Sequence, residues 1–325
     1  MTKRTRYFMA GSAAVMAAGL CTGLIAYYGG GFQALSASTG PTELQYVPAD
    51  ASVIAYADVR SIMDSEFRQR LKENLPIPQD DKAEFQDKTG IDIERDIDYV
   101  VAAMTAADAS HPNGLVVARG RFDIVKLEGL AREHGGAVED YRGKRLLNAT
   151  HGDSEHGGTL AFLEPGLVAI GTSTAVRRAI DAQLSGQSIT ANDDMMELVS
   201  DIERANNAWA VGRFDALTSQ AKLPDQVASR IPAVRYFAAA GHINGGVSGI
   251  VRAEAIDEKS AEDLRQVVNG LLALARLQGQ NDPKIQAVAQ SLQLSGTGTT
   301  VALSFTVPAE LLQLVAPKAP EPAIQ

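Results

Sequence analysis

Short apolar segments alternate with amphipathic ones along most of the chain. The first apolar segment, 52–59, is rich in residues that favour β-strands, and Asp58 or Ser61 is a candidate cap of the helix that follows. Apolar side chains then recur every four residues as far as Pro76, which predicts one continuous helix over 58–75. Its predicted inner face consists of Met63, Phe67, Leu71 and Leu75.

Turn residues divide the following segments into strand pairs. The segments 96–104 and 113–122 have the composition of strands, and Asp123 after them is placed to cap a helix. Pro165-Gly166 can supply the two central residues of a type II turn, and Asn244-Gly245-Gly246 is a strong hairpin signal. Strands joined by such short turns must be antiparallel.

The clearest helical pattern of the chain covers 257–278, with Gly279 as a stop signal and Pro283 beyond it. We expect one side of this helix to pack on a sheet, because a continuous apolar face must be buried. The predicted buried stripe consists of Leu264, Val268, Leu271 and Ala275, whereas Glu262, Arg265 and Asn269 are predicted to point away from it.

These elements predict an α+β fold, in which helices pack on antiparallel sheets. The order β-α-β-β-α-β-β-α can be written twice, over a first half at 42–190 and a second half at 191–316. The sequence therefore suggests an internal duplication. The Pro-rich segment 317–325 is predicted to be a disordered tail.

The N-terminal 35 residues are typical of a targeting segment. Lys3, Arg4 and Arg6 form a basic head, and the run 7–28 is free of charge. At 1.5 Å per residue this run spans roughly 33 Å, which is close to the hydrocarbon thickness of a bilayer. Since positive charge stays on the cytoplasmic side, we expect a single-pass signal-anchor in the inner (cytoplasmic) membrane with a periplasmic C-terminal domain. Residues 29–41, rich in Gly, Ser and Ala, would be a flexible linker.

Cleavage of this segment is the alternative, because small residues near Ser36 give passable cleavage sites and would release the domain to the periplasm. Cys21 is the only cysteine, so the domain has no disulfide and depends on its core. The net charge is −9, of which the basic head contributes +3, leaving −12 on the rest. Such a surface repels nucleic acid, and a nucleic-acid-binding function is excluded.

One short segment has the ligand types of a metal site. His151, Asp153, Glu155 and His156 bring two imidazoles and two carboxylates into six residues, as zinc would require. The segment lies between two predicted strands and is flanked by glycine, so a simple hairpin loop is the favoured interpretation. Gly152-Asp153-Ser154 is also similar to the nucleophile block of one lipase family, but that block opens a helix after a strand, whereas this segment is predicted to be a loop between strands. No cofactor is expected, and no Gly-x-Ser-x-Gly elbow, Walker loop or dinucleotide fingerprint is present.

Five segments carry a resemblance to known sequences: YVPADASVIAYAD (46–58), ARGRFD, EPGLVAIGTS, AWAVGRFD and GTGTTVALSF. Together they resemble a group of uncharacterised conserved hypothetical proteins of bacteria. The resemblance covers most of the chain and implies an N-terminal membrane anchor followed by a duplicated α+β extracytoplasmic domain. It implies no activity, and no catalytic residue is carried over from it.

The functional expectation is a non-enzymatic envelope protein that binds a protein partner or an apolar ligand, since sheets backed by helices can form concave faces. The alternative is a metal-assisted hydrolase using the loop from His151 to His156. A third hypothesis is a scaffold that packs against another membrane protein. A large exposed apolar patch would distinguish the scaffold from the first hypothesis.

Overall fold

The structure is a computed structural model, and it describes residues 41–69, 86–105, 113–149, 158–203, 206–216, 232–279 and 283–308. The elements whose bounds the structure gives are twelve β-strands, seven α-helices and two short 3₁₀ helices. The strands are β1 (Ala51–Ala57), β2 (Ile97–Thr105), β3 (Asn113–Gly120), β4 (Ala137–Tyr141), β5 (Lys144–Asn148), β6 (Gly158–Glu164), β7 (Leu167–Thr172), β8 (Ala208–Arg213), β9 (Val234–Ile243), β10 (Gly246–Ala255), β11 (Gln293–Ser295) and β12 (Thr300–Pro308). The helices are α1 (Val59–Asp64), α2 (Ile93–Asp96), α3 (Ile124–Glu133), α4 (Ser173–Ser185), α5 (Asp193–Ile202), α6 (Glu258–Gly279) and α7 (Pro283–Ser291).

All twelve strands belong to one sheet, in the order β11-β12-β10-β9-β8-β1-β2-β3-β7-β6-β5-β4. Every neighbouring pair is antiparallel. The two predicted halves meet where β1 pairs with β8, with Ile54 opposite Val211 and Tyr56 opposite Trp209. They therefore form a single continuous sheet.

The first face of the sheet carries the main core. Ile54 and Val101 lie on this face, and they share a buried cluster with Val176 of α4 and Val199 of α5. The 3₁₀ helix Thr42–Tyr46 packs beside α4 on the same face. These residues bury the apolar side chains that alternate along the central strands.

The second face is covered by other helices. Ile62 of α1 clusters with Val247 and Val307, whereas Ala261 of α6 packs against Val301. Helix α7 contacts β12 beside α6, and α3 contacts β4 and β5 at the far end of the sheet. Helices thus pack on both faces of an antiparallel sheet, and the predicted α+β class is confirmed.

The predicted continuous helix over 58–75 is wrong. Helix α1 ends at Asp64, because Ser65 adopts an extended conformation with ψ of 146°. The Ser65 hydroxyl then accepts a hydrogen bond from the Arg68 amide at 3.2 Å and caps a new helical turn. Val59, Ile62 and Phe67 are the buried apolar residues of this segment. Phe67 thus lies inward as predicted, whereas Met63 is only partly buried. Leu71 and Leu75 lie outside the described residues.

Other local predictions are confirmed by the hydrogen bonds. The Asp58 carboxylate accepts from the amide of Ser61, and the Asp123 carboxylate from the amide of Lys126, so both residues cap helices. Gly166 has φ of +72°, as position i+2 of a type II turn requires. These features depend on neighbours in the sequence, and the sequence predicted them correctly.

The repeated element order is reproduced only in part. The segment 137–148 forms two strands with a turn at Arg142, whose φ is +52°, and α7 directly follows α6 in the second half. The strands β1-β2-β3 and β8-β9-β10 each form a three-stranded meander on either side of the central β1–β8 pair. The internal duplication stays a prediction.

Within the part of the chain that the structure describes, no helix is both long and apolar enough to cross a membrane. The predicted anchor at 7–28 lies outside the described residues, as does the linker up to residue 40. The tail at 317–325 lies outside them too. Their predicted roles stay predictions.

Candidate functional site

The candidate metal site predicted from the sequence lies in the segment 150–157, which is outside the described residues. His151, Asp153, Glu155 and His156 all fall within it. Among the residues that are described, no three His, Cys, Asp or Glu side chains group closely enough to hold a metal ion. The hydrolase alternative stays a prediction.

A buried polar cluster on the first face has the most concentrated chemistry of the described residues. Glu43 is 1% exposed, and its Oε1 accepts hydrogen bonds from Nε of Arg119 at 2.8 Å and from the hydroxyl of Tyr99 at 3.1 Å. The hydroxyl of Tyr46 donates to Glu164 at 2.7 Å. The cluster connects the 3₁₀ helix at Thr42–Tyr46 to strands β2, β3 and β6.

Burial raises the pKa of Tyr46, and the hydrogen bond to Glu164 adds to this effect. Burial also raises the pKa of Tyr99, with the negative charge of Glu43 as the second cause. Both tyrosines are therefore protonated donors at neutral pH, and their acceptors are carboxylates. A cluster whose donors and acceptors satisfy one another holds the chain in place and offers no free acid or base.

Helix α6 differs from the other helices in its exposed side. Its inward side is well defined, since Ala261 is 0% and Leu272 is 6% exposed. Arg265 also points inward, where Nη2 donates to the carbonyl oxygens of Gly298 at 2.8 Å and Thr300 at 3.0 Å. These contacts fix the rotation of the helix on the sheet.

Four large apolar side chains of α6 are left in solvent by this rotation. Val267 is 47%, Leu271 62%, Leu274 51% and Leu277 60% exposed. They lie along one side of the last three to four turns, because residues three and four positions apart are neighbours on a helix. We call these four residues the apolar stripe.

The predicted face of this helix is therefore wrong at two positions. Leu271 is exposed rather than buried, and Arg265 faces the sheet rather than solvent. Apolar residues occupy more than half of the circumference of the C-terminal part of α6. The periodicity of the sequence is therefore compatible with more than one buried side of the helix. In the structure, the burial of Leu272 next to the exposed Leu271 shows which side faces inward.

The polar cluster around Glu43 was also not predicted from the sequence. Its members are up to 121 positions apart, from Glu43 to Glu164, and no spacing relates them. The sequence signal that could have predicted a buried carboxylate is the position of Glu43, the first acidic residue of the chain. It lies next to the apolar residues Leu44, Tyr46 and Val47. His134 follows the last residue of α3, and its Nδ1 lies 2.9 Å from the Leu130 carbonyl oxygen.

Comparisons with known proteins add little. No protein-family model matches the chain, and no curated protein matches it. Among solved structures, the chain is similar to the one described as "Structure of crystal form I of TP0453". That similarity has 12% sequence identity and a TM-score of 0.45, and it covers 85% of this chain and 96% of that chain. A similarity at this level supports no statement about function.

Proposed function

We propose that the protein is a non-enzymatic, membrane-anchored domain on the periplasmic side of the inner membrane, which binds an apolar partner through the apolar stripe of α6. The observation that carries the proposal is the exposure of Val267, Leu271, Leu274 and Leu277 on one side of one helix. Single exposed apolar residues are ordinary, but a contiguous set on one surface is typical of an interaction site.

The stripe is not needed to hold α6 on the sheet. The inward side already packs through Ala261 and Leu272, and the polar contacts of Arg265 add to it. Four exposed apolar side chains carry a solubility cost, and they contribute little to folding. Binding is a function that would account for them.

Two features support the wider architecture of the proposal. The basic head and the uncharged run at 7–28 support a signal-anchor. The two meanders on either side of the β1–β8 pair support an internal duplication, with the first half at 42–190 and the second at 191–316.

Site-specific photocrosslinking in intact cells tests the proposal. A benzophenone amino acid replaces Leu271 in the full-length chain, and a matched variant carries it at Asn269, which is also exposed but lies on another side of α6. We expect crosslinking to a component of the membrane fraction at position 271 and severalfold less at 269. Equal crosslinking at the two positions, or none at either, would contradict the proposal.

A further inference from the structure

We infer that the apolar stripe rests on the lipid surface of the bilayer to which the chain is tethered. This inference depends on the proposed function, and it names the partner. The occupant would be the interfacial region of the membrane, where headgroups meet acyl chains. A second copy of the chain is an outcome of the test below, and a different protein is an outcome of the crosslinking experiment in cells.

The shape of the stripe favours a lipid surface over a ligand or a protein. Small apolar ligands bind in clefts that enclose most of their surface. The stripe stands on the outward side of a helix, with exposures from 47% to 62%. A stable protein interface takes roughly 20–30 residues from each side, whereas the stripe has four. One apolar helix side is what a helix needs to lie in a membrane interface.

The distribution of charge along α6 also favours a lipid surface. The acidic residues Glu258, Glu262 and Asp263 are confined to its first two turns. The following segment, 264–279, has no acidic residue and two arginines. The rest of the protein is strongly acidic and would be repelled by anionic headgroups. The C-terminal part of α6 is therefore a local exception, suited to a zwitterionic surface.

The length of the chain outside the described part places the stripe within reach of the bilayer. The uncharged run ends at Tyr28 and the described chain begins at Pro41, which leaves 12 residues between them. A linker of that length extends at most about 40 Å, and as a flexible coil it spans about 20 Å on average. Pro41 enters the domain beside the first face and α6 packs on the second, so the domain turns on its tether when the stripe meets the bilayer. The short tether keeps that encounter at a high effective concentration.

Fluorescent labels on the full-length chain test this inference. Cys21 is the only cysteine, so Cys21→Ser gives a background for single labels. An environment-sensitive dye is attached through Leu274→Cys, and through Asn269→Cys as the matched control. The protein is reconstituted in phosphatidylcholine vesicles, with or without spin-labelled lipid. We expect the dye at 274 to emit at shorter wavelength and to be quenched by spin-labelled lipid severalfold more than the dye at 269.

A second label at Leu277→Cys guards against a local disturbance at position 274, and it should behave like 274. If the dyes at 274 and 277 are shielded from aqueous iodide but not quenched by the lipid, a second copy of the chain covers the stripe. That result overturns the lipid surface and leaves the proposed function standing. If both dyes are as accessible to iodide as the dye at 269, neither lipid nor a second copy covers the stripe and the inference fails, whereas the proposed function is decided by the crosslinking experiment in cells.

Discussion

Glu43 and Arg119 are paired on the first face of the sheet, with 2.6 Å between Oε1 of the carboxylate and Nη2 of the guanidinium. The carboxylate is 1% exposed and the guanidinium side chain 29%. The pair joins the 3₁₀ helix Thr42–Tyr46 to strand β3. It therefore holds the first described residues of the chain against the sheet.

Replacing Arg119 tests the importance of this pair. Arg119→Met removes the charged donors of a buried carboxylate, and we expect the free energy of unfolding to fall by roughly 1.5–3 kcal/mol. The double variant Glu43→Gln/Arg119→Met should recover part of that loss, because it leaves no buried charge unpaired. Denaturant midpoints of the variants measure both effects. A double variant as unstable as the single one would show that the buried charge is not the cause.

The free energy of unfolding should fall at alkaline pH because of Tyr46, which is buried, and Tyr56, which is partly buried. Burial raises the pKa of Tyr46 and of Tyr56. Below pH about 10 both states keep the phenol protonated, and this stabilisation is fully present. Above it the unfolded chain ionises while the folded protein does not, so each tyrosine lowers the free energy of unfolding by up to about 1.4 kcal/mol per pH unit.

The measurement is the free energy of urea unfolding between pH 8 and pH 11. Tyr46→Phe removes one of these groups, so its decline should be shallower than that of the wild type. Tyr236→Phe should also make the decline shallower, because burial and the hydrogen bond to Asp194 raise the pKa of Tyr236 as well. Identical slopes for the wild type and Tyr46→Phe would contradict the role of burial.

Two neighbouring leucines of α6 should differ in their effect on stability. Leu272 is 6% exposed and Leu271 is 62% exposed. We expect Leu272→Ala to cost roughly 2–5 kcal/mol, through lost burial and a cavity, whereas Leu271→Ala should stay within about 0.5 kcal/mol. Denaturant midpoints distinguish them, and the opposite ranking would restore the face predicted from periodicity.

The topology of the chain can be measured with reporters fused after Gln325. A phosphatase that is active only outside the cytoplasm should be active there, because the basic head keeps the N-terminus inside. A fluorescent protein that matures only in the cytoplasm should stay dark at the same position. The reverse pattern would refute both the anchor and the cleaved alternative.

The sequence by itself determined the features that depend on near neighbours. Asp123 caps a helix because its carboxylate reaches an amide three residues away, and Gly166 completes a turn because it lacks a Cβ. The alternation of strands and short turns determined the antiparallel class in the same way. The break at Ser65 was missed because periodicity alone suggested a continuous helix, although a serine hydroxyl can cap a new turn.

Only the tertiary structure decided which distant residues meet. The pairing of β1 with β8 merges the two halves into one sheet, and it brings together strands about 150 positions apart. Glu43 and Arg119 meet across 76 positions for the same reason. The rotation of α6 was likewise open, since its apolar residues cover more than one side. Packing buried Leu272 and left Leu271 in solvent, because only one side of the helix can face inward.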